Sequence, residues 1–277
     1  MVTALTVLVI VLSLCLGAAL RRIGRFRARY QQRGLLGNWP IPRVQLTGVD
    51  PAFSPSAHGP SRESEVSFVG DELVPGGISD RETWILCTLA KRARSIFEFG
   101  TCSGKTAYLL ARNAPEDGTV TTITLSPDQV AEYRRGVGDD ELDTLIAKRE
   151  SSFASFYYSG TGVEKKVRQL FGDSKAFDES PFVGLCDLIF VDGSHAESYV
   201  LSDSRKALRM VRPGGFVFWH DYRGPFNVRG VYRALNALLE EVPLRHIAGT
   251  ALVYYQRPAV ASVGAVAQPS NAGSHAA

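Results

Sequence analysis

The sequence predicts an α/β fold in which helices cover both faces of a mostly parallel sheet. Two continuous apolar runs, residues 188–191 and 216–219, have the pattern of strands that are buried on both faces. Between them lies a stretch with apolar residues at near-helical spacing, which stops at the Pro-Gly-Gly of residues 213–215. A strand, a helix and a second strand within about 35 residues form a βαβ unit, whose two strands run parallel.

Polar residues follow both of these strands. Asp192 and His195 come after the first strand, and His220 and Asp221 come after the second. Because the carboxyl ends of parallel strands lie along one edge of a sheet, we expect these four side chains to share a site. Their oxygen and nitrogen atoms suit a hard divalent cation such as Mg²⁺ or Mn²⁺, and a histidine can remove a proton from a hydroxyl group near neutral pH. The alternative is structural, since Asp and Ser are also common in turns and helix caps.

A second ligand site is predicted beside an earlier strand. Residues 95–100 (SIFEFG) form a short buried strand, and a turn of small residues leads from it into a helical pattern. A glycine-bearing turn of this kind lets a ligand approach backbone N–H groups and a helix N-terminus. The turn is not a P-loop, because Gly100 and Gly104 enclose three residues and that motif needs four. Cys102 occupies the place of the second glycine in the G-x-G-x-x-G fingerprint, so the sequence disfavours both a nucleoside triphosphatase and a nicotinamide enzyme.

These motifs together resemble the class I S-adenosylmethionine-dependent methyltransferase family. Its first motif is an acidic residue, one spacer and a glycine-rich turn, which residues 98–104 (EFGTCSG) match. The resemblance covers residues 77–257 and implies a single Rossmann-like domain with a mostly parallel, seven-stranded sheet. The later strands are expected at residues 119–125, 167–171, 187–191 and 216–219, followed by a closing antiparallel pair at 244–247 and 251–256.

The resemblance implies that S-adenosylmethionine is the cofactor, with its methionine end on the turn of residues 100–104 and its adenine near Asp173 and Ser174. The family's cofactor-binding residues correspond to Glu98, Gly100, Thr101, Ser103, Gly104, Thr124, Asp173, Ser174 and Asp192. Thr124 departs from the family pattern, which has an acidic residue there to bind both ribose hydroxyls. Either the cofactor binds more weakly as a result, or Asp128 reaches back from the next helix.

The strings VDGSH and HDY resemble, more narrowly, the metal-dependent O-methyltransferases that act on sugar hydroxyls of natural products. That resemblance implies Asp192 and Asp221 as ligands of Mg²⁺ or Mn²⁺ and His195 as the base. His220 departs from the family pattern, which has an acidic residue there, and is a candidate third ligand. The predicted function is methyl transfer to a hydroxyl of a small molecule, a sugar or a lipid-linked glycan.

Two alternatives to this function stay open at the level of sequence. One is a non-catalytic binding or scaffold protein with a weakened cofactor pocket, which the departures at Cys102, Thr124 and His220 favour. The other is a methyltransferase that needs no metal.

Two helical stretches complete the predicted domain. Residues 78–94 have apolar residues at helical spacing, and Ser79 with Glu82 fits a capping box. Residues 139–158 are a second helical stretch, inserted between two strands, which ends in the aromatic sequence SSFASFYYSG. The aromatic residues either line a substrate pocket or pack in the core.

The N-terminal segment predicts a membrane anchor. Residues 1–20 contain no charged side chain, and about 20 such residues can span a hydrocarbon core of roughly 30 Å. Six arginines follow directly, so the positive-inside rule predicts a single-pass protein with its catalytic domain on the cytoplasmic side. A cleaved signal peptide is the alternative, although it would need a charged residue before the apolar run.

The predicted organisation is an anchor (1–20), a basic juxtamembrane arm (21–36), a linker rich in Pro, Gly and Ser (37–76), the methyltransferase domain (77–257) and a disordered tail (258–277). Without the six arginines of the arm, the net charge of +3 becomes −3, so a nucleic-acid partner is not expected. The four cysteines have neither metal-ligand nor redox-motif spacing, which is typical of a reducing compartment.

Overall fold

The computed structural model describes residues 2–32, 39–70 and 77–259 of the 277-residue chain. The helices are α1 (Val2–Gln32), α2 (Asp80–Ala90), α3 (Lys105–Asn113), α4 (Glu141–Glu150), α5 (Glu197–Met210) and α6 (Arg229–Leu238). The strands are β1 (Arg43–Val44), β2 (Pro55–Ser56), β3 (Gly59–Pro60), β4 (Ser95–Phe99), β5 (Thr119–Thr124), β6 (Val167–Phe171), β7 (Cys186–Val191), β8 (Val211–Trp219), β9 (Arg245–Ile247) and β10 (Val253–Gln256).

The central sheet has the order β1-β9-β10-β8-β7-β4-β5-β6. Strands β4 to β8 are parallel to their neighbours within that group, whereas β10 runs antiparallel to both β8 and β9. The chain proceeds outward from β4 to β5 and β6, and then returns to β7 on the other side of β4. Ligands of open α/β sheets bind at such a switch point, and it lies at the carboxyl ends of β4 and β7.

Helices pack on both faces of this sheet, as the sequence predicts. On one face, α2 and α3 pack with residues such as Leu86 and Leu110, which are buried against Phe190. On the other face, α5 and α6 pack through residues such as Ala207 and Leu235. The strands between these layers are apolar on both faces, which explains the continuous apolar runs.

The predicted α/β class and mostly parallel sheet are confirmed, but three details differ. The sheet has eight strands, because β1 pairs with β9 and covers an edge that would otherwise expose unpaired backbone groups. Strand β8 begins at Val211, and residues 213–215 form an irregular part of it rather than a turn before it. Helix α4 is shorter than the predicted stretch 139–158, because the chain after Glu150 forms turns.

The predicted membrane anchor is wrong. Among the helices of the described residues, none combines the length and the apolar character needed to cross a bilayer. The apolar run of residues 1–20 does not end as a separate element, because α1 continues to Gln32 through five arginines. The same finding corrects three related predictions. These are the single-pass topology, the cytoplasmic placement of the catalytic domain, and the membrane contact through the N-terminal helix.

Residues 39–70, within the predicted linker, lie against the domain. Ile41 is fully buried, and Phe53 packs edge-on against the Trp84 ring. The Trp84 Nε1–H donates to the Ser64 carbonyl at 2.7 Å, and Lys105 Nζ donates to the Gly70 carbonyl at 2.6 Å. Most of the predicted disordered tail, residues 260–277, lies outside the described residues.

Candidate active site

The backbone at the ends of three neighbouring strands fixes the position of the site. The backbone N–H of Gly100 donates to Ile123 at 2.9 Å, that of Asp192 to Phe99 at 2.9 Å, and that of His220 to Val191 at 3.1 Å. These bonds continue the sheet hydrogen bonding one residue beyond the strands. The glycine turn and the polar residues that follow β7 and β8 therefore lie side by side. Gly100 has φ +98°, and a Cβ there would lie 2.2 Å from the Asp192 carbonyl oxygen, so only glycine fits.

A first cavity, of about 520 Å³, opens at the ends of β4, β5 and β6. Five of the predicted cofactor-binding residues line it, namely Gly100, Thr124, Asp173, Ser174 and Asp192. Its wall also contains Ile123 and Leu125 and the stacked rings of Tyr133 and Tyr199, whose centroids are 4.6 Å apart. The first cavity is therefore largely apolar, with a few polar groups at its ends.

Two predicted cofactor-binding residues, Glu98 and Gly104, line neither this cavity nor the one described next. The Glu98 carboxyl is buried and accepts a hydrogen bond of 2.6 Å from Thr122 Oγ1. Burial raises the pKa of Glu98 to about 8, with the Thr122 hydrogen bond opposing the shift. Gly104 is the N-cap of α3 and has φ +76°. Both residues shape the turn from beneath rather than face a ligand.

The polar end of the first cavity is already hydrogen-bonded within the protein. Asp173 accepts hydrogen bonds from the Lys175 backbone N–H at 2.9 Å and from the Tyr199 hydroxyl at 3.1 Å. Thr124 lies on the wall, at the end of β5, without an acidic neighbour there in sequence. Asp128 is exposed and is not part of this wall, so it does not reach back as the sequence allowed.

A second cavity lies beside the first and is strongly polar. Two of the predicted cofactor-binding residues, Thr101 and Ser103, line it. So do the four residues predicted to share a site, which are Asp192, His195, His220 and Asp221. Other charged residues on its wall are Lys105, Glu150 and Arg223. The two cavities share four lining residues, which are Gly100, Cys102, Glu150 and Asp192. We call these four residues the junction.

His195 is held in the second cavity by Asp221. Its Nε2 lies 2.7 Å from Asp221 Oδ2, and Arg223 Nε lies 2.7 Å from the other carboxylate oxygen. Although burial favours the neutral ring, the hydrogen bond and charge of Asp221 raise the pKa of His195 to about 9. The loop that carries His195 packs closely on α6, since a Cβ on Gly230 would lie 2.1 Å from the His195 carbonyl oxygen.

His220 lies between three carboxylates. Its Nδ1 is 2.9 Å from Asp192 and 3.4 Å from Asp221, and its Nε2 is 3.5 Å from Glu82. At 3.5 Å, the contact between His220 and Glu82 is an ion pair rather than a hydrogen bond. Burial favours the neutral ring, but the charges of Asp192 and Asp221 together keep the pKa of His220 well above its usual value.

The donor set at His220 fits a divalent cation. One ligand atom each of Asp192, His220 and Asp221 lies within 4.8 Å of the other two. The Nε2 of His220 faces Glu82. A histidine that binds a metal through one ring nitrogen usually has such a partner, often a carboxylate, at its other nitrogen. Glu82 is itself fixed by the capping box of α2 and by the Ala251 backbone N–H at 2.5 Å. These residues therefore have the donor atoms for a divalent cation, and the choice of Mg²⁺ or Mn²⁺ stays a prediction.

Three site residues were missed by the sequence motifs. Glu82 was assigned only to its capping box, and Arg223 lies in a loop that carries no motif. Glu150 ends α4, inside a stretch expected to be one longer helix. All three come from segments outside VDGSH, HDY and the glycine turn, and no periodicity in the sequence brings them together.

Comparison with known proteins finds two sequence matches. The family model described as a methyltransferase domain matches residues 97–222. A provisionally named O-methyltransferase from Mycolicibacterium vanbaalenii is 26% identical over 190 residues, which are 65% of this chain and 72% of that protein.

Two solved structures are also similar. The O-methyltransferase of tomaymycin synthesis from Streptomyces achromogenes, in complex with S-adenosylmethionine, is 21% identical, with a TM-score of 0.44 over 65% of this chain and 82% of its own. The Bacillus cereus O-methyltransferase, in complex with S-adenosylhomocysteine, is 18% identical, with a TM-score of 0.45 over 66% of this chain and 83% of its own.

The sequence matches cover the strand ends and loops that build both cavities, and they favour the predicted enzyme over the alternative of a scaffold protein. The match of residues 97–222 to a methyltransferase domain supports the resemblance to S-adenosylmethionine-dependent O-methyltransferases that the glycine turn predicts.

Proposed function

We propose that the enzyme binds S-adenosylmethionine in the first cavity and transfers its methyl group to a hydroxyl of a polar small molecule in the second. The observation that carries this proposal is the junction, the four residues that line both cavities. Methyl transfer needs the sulfur, the carbon and the attacking oxygen in line, and effective catalysis depends on that alignment. Two cavities that meet at a few residues provide such a path.

The cofactor orientation follows from the walls of the first cavity. The adenine would lie at the end near Asp173 and Ser174, and the ribose near Thr124. The methionine end would lie on the glycine turn, where Thr101 and Ser103 line the adjoining part of the second cavity. This orientation brings the sulfonium to the junction, beside Asp192.

His195 is the proposed base. Its Nε2 is held by Asp221, and no hydrogen bond joins its Nδ1 to another described residue. An imidazole oriented by a carboxylate is the arrangement of the serine protease triad, in which the other ring nitrogen takes the proton. In the neutral form of the ring, which prevails above its raised pKa of about 9, the O–H bond of the acceptor breaks and its proton passes to Nδ1. The oxygen forms a bond to the methyl carbon, and the electron pair of the breaking S–C bond stays on sulfur, which gives S-adenosylhomocysteine.

A divalent cation would be held by Asp192, His220 and Asp221. When bound, it would lower the pKa of an acceptor hydroxyl through its positive charge. The charged wall of the second cavity also supports a polar acceptor, for which a sugar is one candidate. No feature of the described residues supports a lipid-linked acceptor.

Label transfer tests the proposal. The full chain is incubated with S-adenosylmethionine labelled in its methyl group and a panel of simple glycosides, catechols and aliphatic alcohols, with and without Mg²⁺ or Mn²⁺. We expect the label on an acceptor oxygen and an equal amount of S-adenosylhomocysteine. The proposal is overturned if calorimetry detects no binding of S-adenosylmethionine, or if label appears on no acceptor oxygen of the panel.

A further inference from the structure

Glu150 occupies an unusual place at the junction. It is the last residue of α4, the helix inserted between β5 and β6, and its side chain lines both cavities. Of the other three junction residues, Gly100 has no side chain and Cys102 is a thiol, whose pKa burial raises to about 12. The carboxylates of Glu150 and Asp192 are therefore the only charged groups that the described residues place at this opening.

The two carboxylates differ in their partners. Asp192 accepts a hydrogen bond from His220 at 2.9 Å. Within the described part of the chain, no hydrogen bond or salt bridge joins the Glu150 carboxylate to another residue. Among the described residues, Glu150 is therefore the junction carboxylate without an internal partner, and its oxygens are available to a ligand.

The location of Glu150 is unfavourable for stability. A negative charge at a helix C-terminus opposes the helix dipole, and a half-buried carboxylate without a partner loses part of its hydration. Burial raises the pKa of Glu150 to about 7, with His195 opposing the shift and Asp192 adding to it. A group whose position costs stability is most often found where it serves binding or catalysis.

We propose that Glu150 contacts the reacting centre, where its carboxylate faces the positively charged methyl–sulfonium group. This inference rests on the proposed function. The neighbours that affect the charge of Glu150 include His195, Asp192 and Asp221, which belong to the catalytic end of the site rather than to the ribose or adenine end. A carboxylate there also favours the cationic substrate over the neutral thioether product, because only the sulfonium attracts it.

The test uses cofactor analogues, so it needs no known acceptor. S-adenosylhomocysteine lacks the methyl group and is neutral at sulfur. Sinefungin carries a primary amine on carbon in place of the methyl–sulfonium group and is cationic there. Calorimetry at pH 8 measures both affinities for the full chain, for Glu150→Gln and for the matched control Glu141→Gln, which removes an exposed carboxylate from the same helix.

We expect Glu150→Gln to bind sinefungin about tenfold more weakly, the loss of one charge-assisted hydrogen bond, while the affinity for S-adenosylhomocysteine changes by less than about twofold. Glu141→Gln should change neither affinity. The inference is overturned if both analogues weaken by the same factor, which would place Glu150 on a part of the cofactor that they share. It is also overturned if neither affinity changes. Failure of all three proteins to bind either analogue would instead refute the proposed function.

Discussion

The two cavities of the active site are built in different ways. The first is formed by backbone at strand ends and by apolar and aromatic side chains. The second is formed by charged side chains from separate elements, such as Lys105 on α3, Glu150 on α4 and Asp221 after β8. The first cavity therefore depends on close backbone packing, and the second depends on charge. Substitutions should separate these two dependences.

The largest effect is expected from Gly100→Ala, on the first cavity. The new Cβ would lie 2.2 Å from the backbone carbonyl oxygen of Asp192, directly after β7, and Gly100 itself has φ +98°. Neither β4 nor β7 can move away without breaking the hydrogen bonds of the sheet. We expect a loss of about 4 kcal/mol in unfolding free energy, and no detectable S-adenosylhomocysteine binding by calorimetry. Gly138→Ala is the matched control, since Gly138 has φ +92° with nothing within 4 Å, and should cost only about 1–2 kcal/mol. Equal losses in the two variants would refute the role of close packing.

The next effect is expected from His195→Ala, on the second cavity. Loss of the base should lower kcat about 10²–10⁴-fold in a steady-state methyl-transfer assay. The affinity for S-adenosylhomocysteine should change by less than about twofold, because His195 does not line the first cavity. His58→Ala removes an exposed histidine and should change neither quantity. Retention of kcat in His195→Ala would show that another group takes the proton.

A third expectation concerns Glu98, beneath the first cavity, and the pH dependence of stability. Its pKa in the fold is raised from the ordinary 4.5 to about 8, so the fold favours the neutral carboxyl. The stability from this group is fully present below pH 4.5 and is lost as the pH rises toward 8. Glu98→Gln keeps an acceptor for Thr122 and removes the titration, so its melting temperature at pH 9 should exceed that of the wild type by roughly 5 °C.

At pH 4.5, Glu98→Gln and the wild type should melt at nearly the same temperature. Glu116→Gln is the control, because Glu116 is an exposed carboxylate on the surface. A gain in melting temperature that is the same at both pH values would contradict the assignment of the titration to Glu98.

The smallest effect is expected from Thr124→Asp. This variant places an acidic residue at the end of β5, as in the methyltransferases that the sequence resembles. An acidic side chain there can accept hydrogen bonds from both ribose hydroxyls. We expect S-adenosylhomocysteine to bind about fivefold more tightly, measured by calorimetry. Thr119→Asp, at the exposed start of the same strand, should have no effect. Weaker binding in Thr124→Asp would mean that the ribose does not lie at this strand end.

The first cavity could be predicted well from the sequence, because its position is a local property. A buried strand followed by a glycine turn fixes where the cofactor approaches the backbone, and a βαβ unit fixes the neighbouring strand. The sequence also placed Asp192, His195, His220 and Asp221 in one region. It did not show that Asp221 pairs with His195, since that pairing depends on side-chain directions in two loops.

The second cavity could be predicted only in part, because its charges come from distant segments. Glu82 belongs to α2, 138 positions before its partner His220, and Glu150 belongs to an insertion whose end was not evident from periodicity. Strand β1 was missed because two residues carry no alternation. The N-terminal anchor was wrong because an apolar run does not by itself show that a helix continues into a basic segment.

The central claim is that the cofactor's sulfur lies at the junction between the two cavities. A crystal structure of the full chain with S-adenosylhomocysteine tests it most directly. We expect the adenine beside Asp173 and Ser174 and the sulfur beside Asp192 and Glu150. The side of the sulfur that carries the methyl group in S-adenosylmethionine should be open to His195. A sulfur that lies away from the junction, or that faces away from the second cavity, would contradict the account.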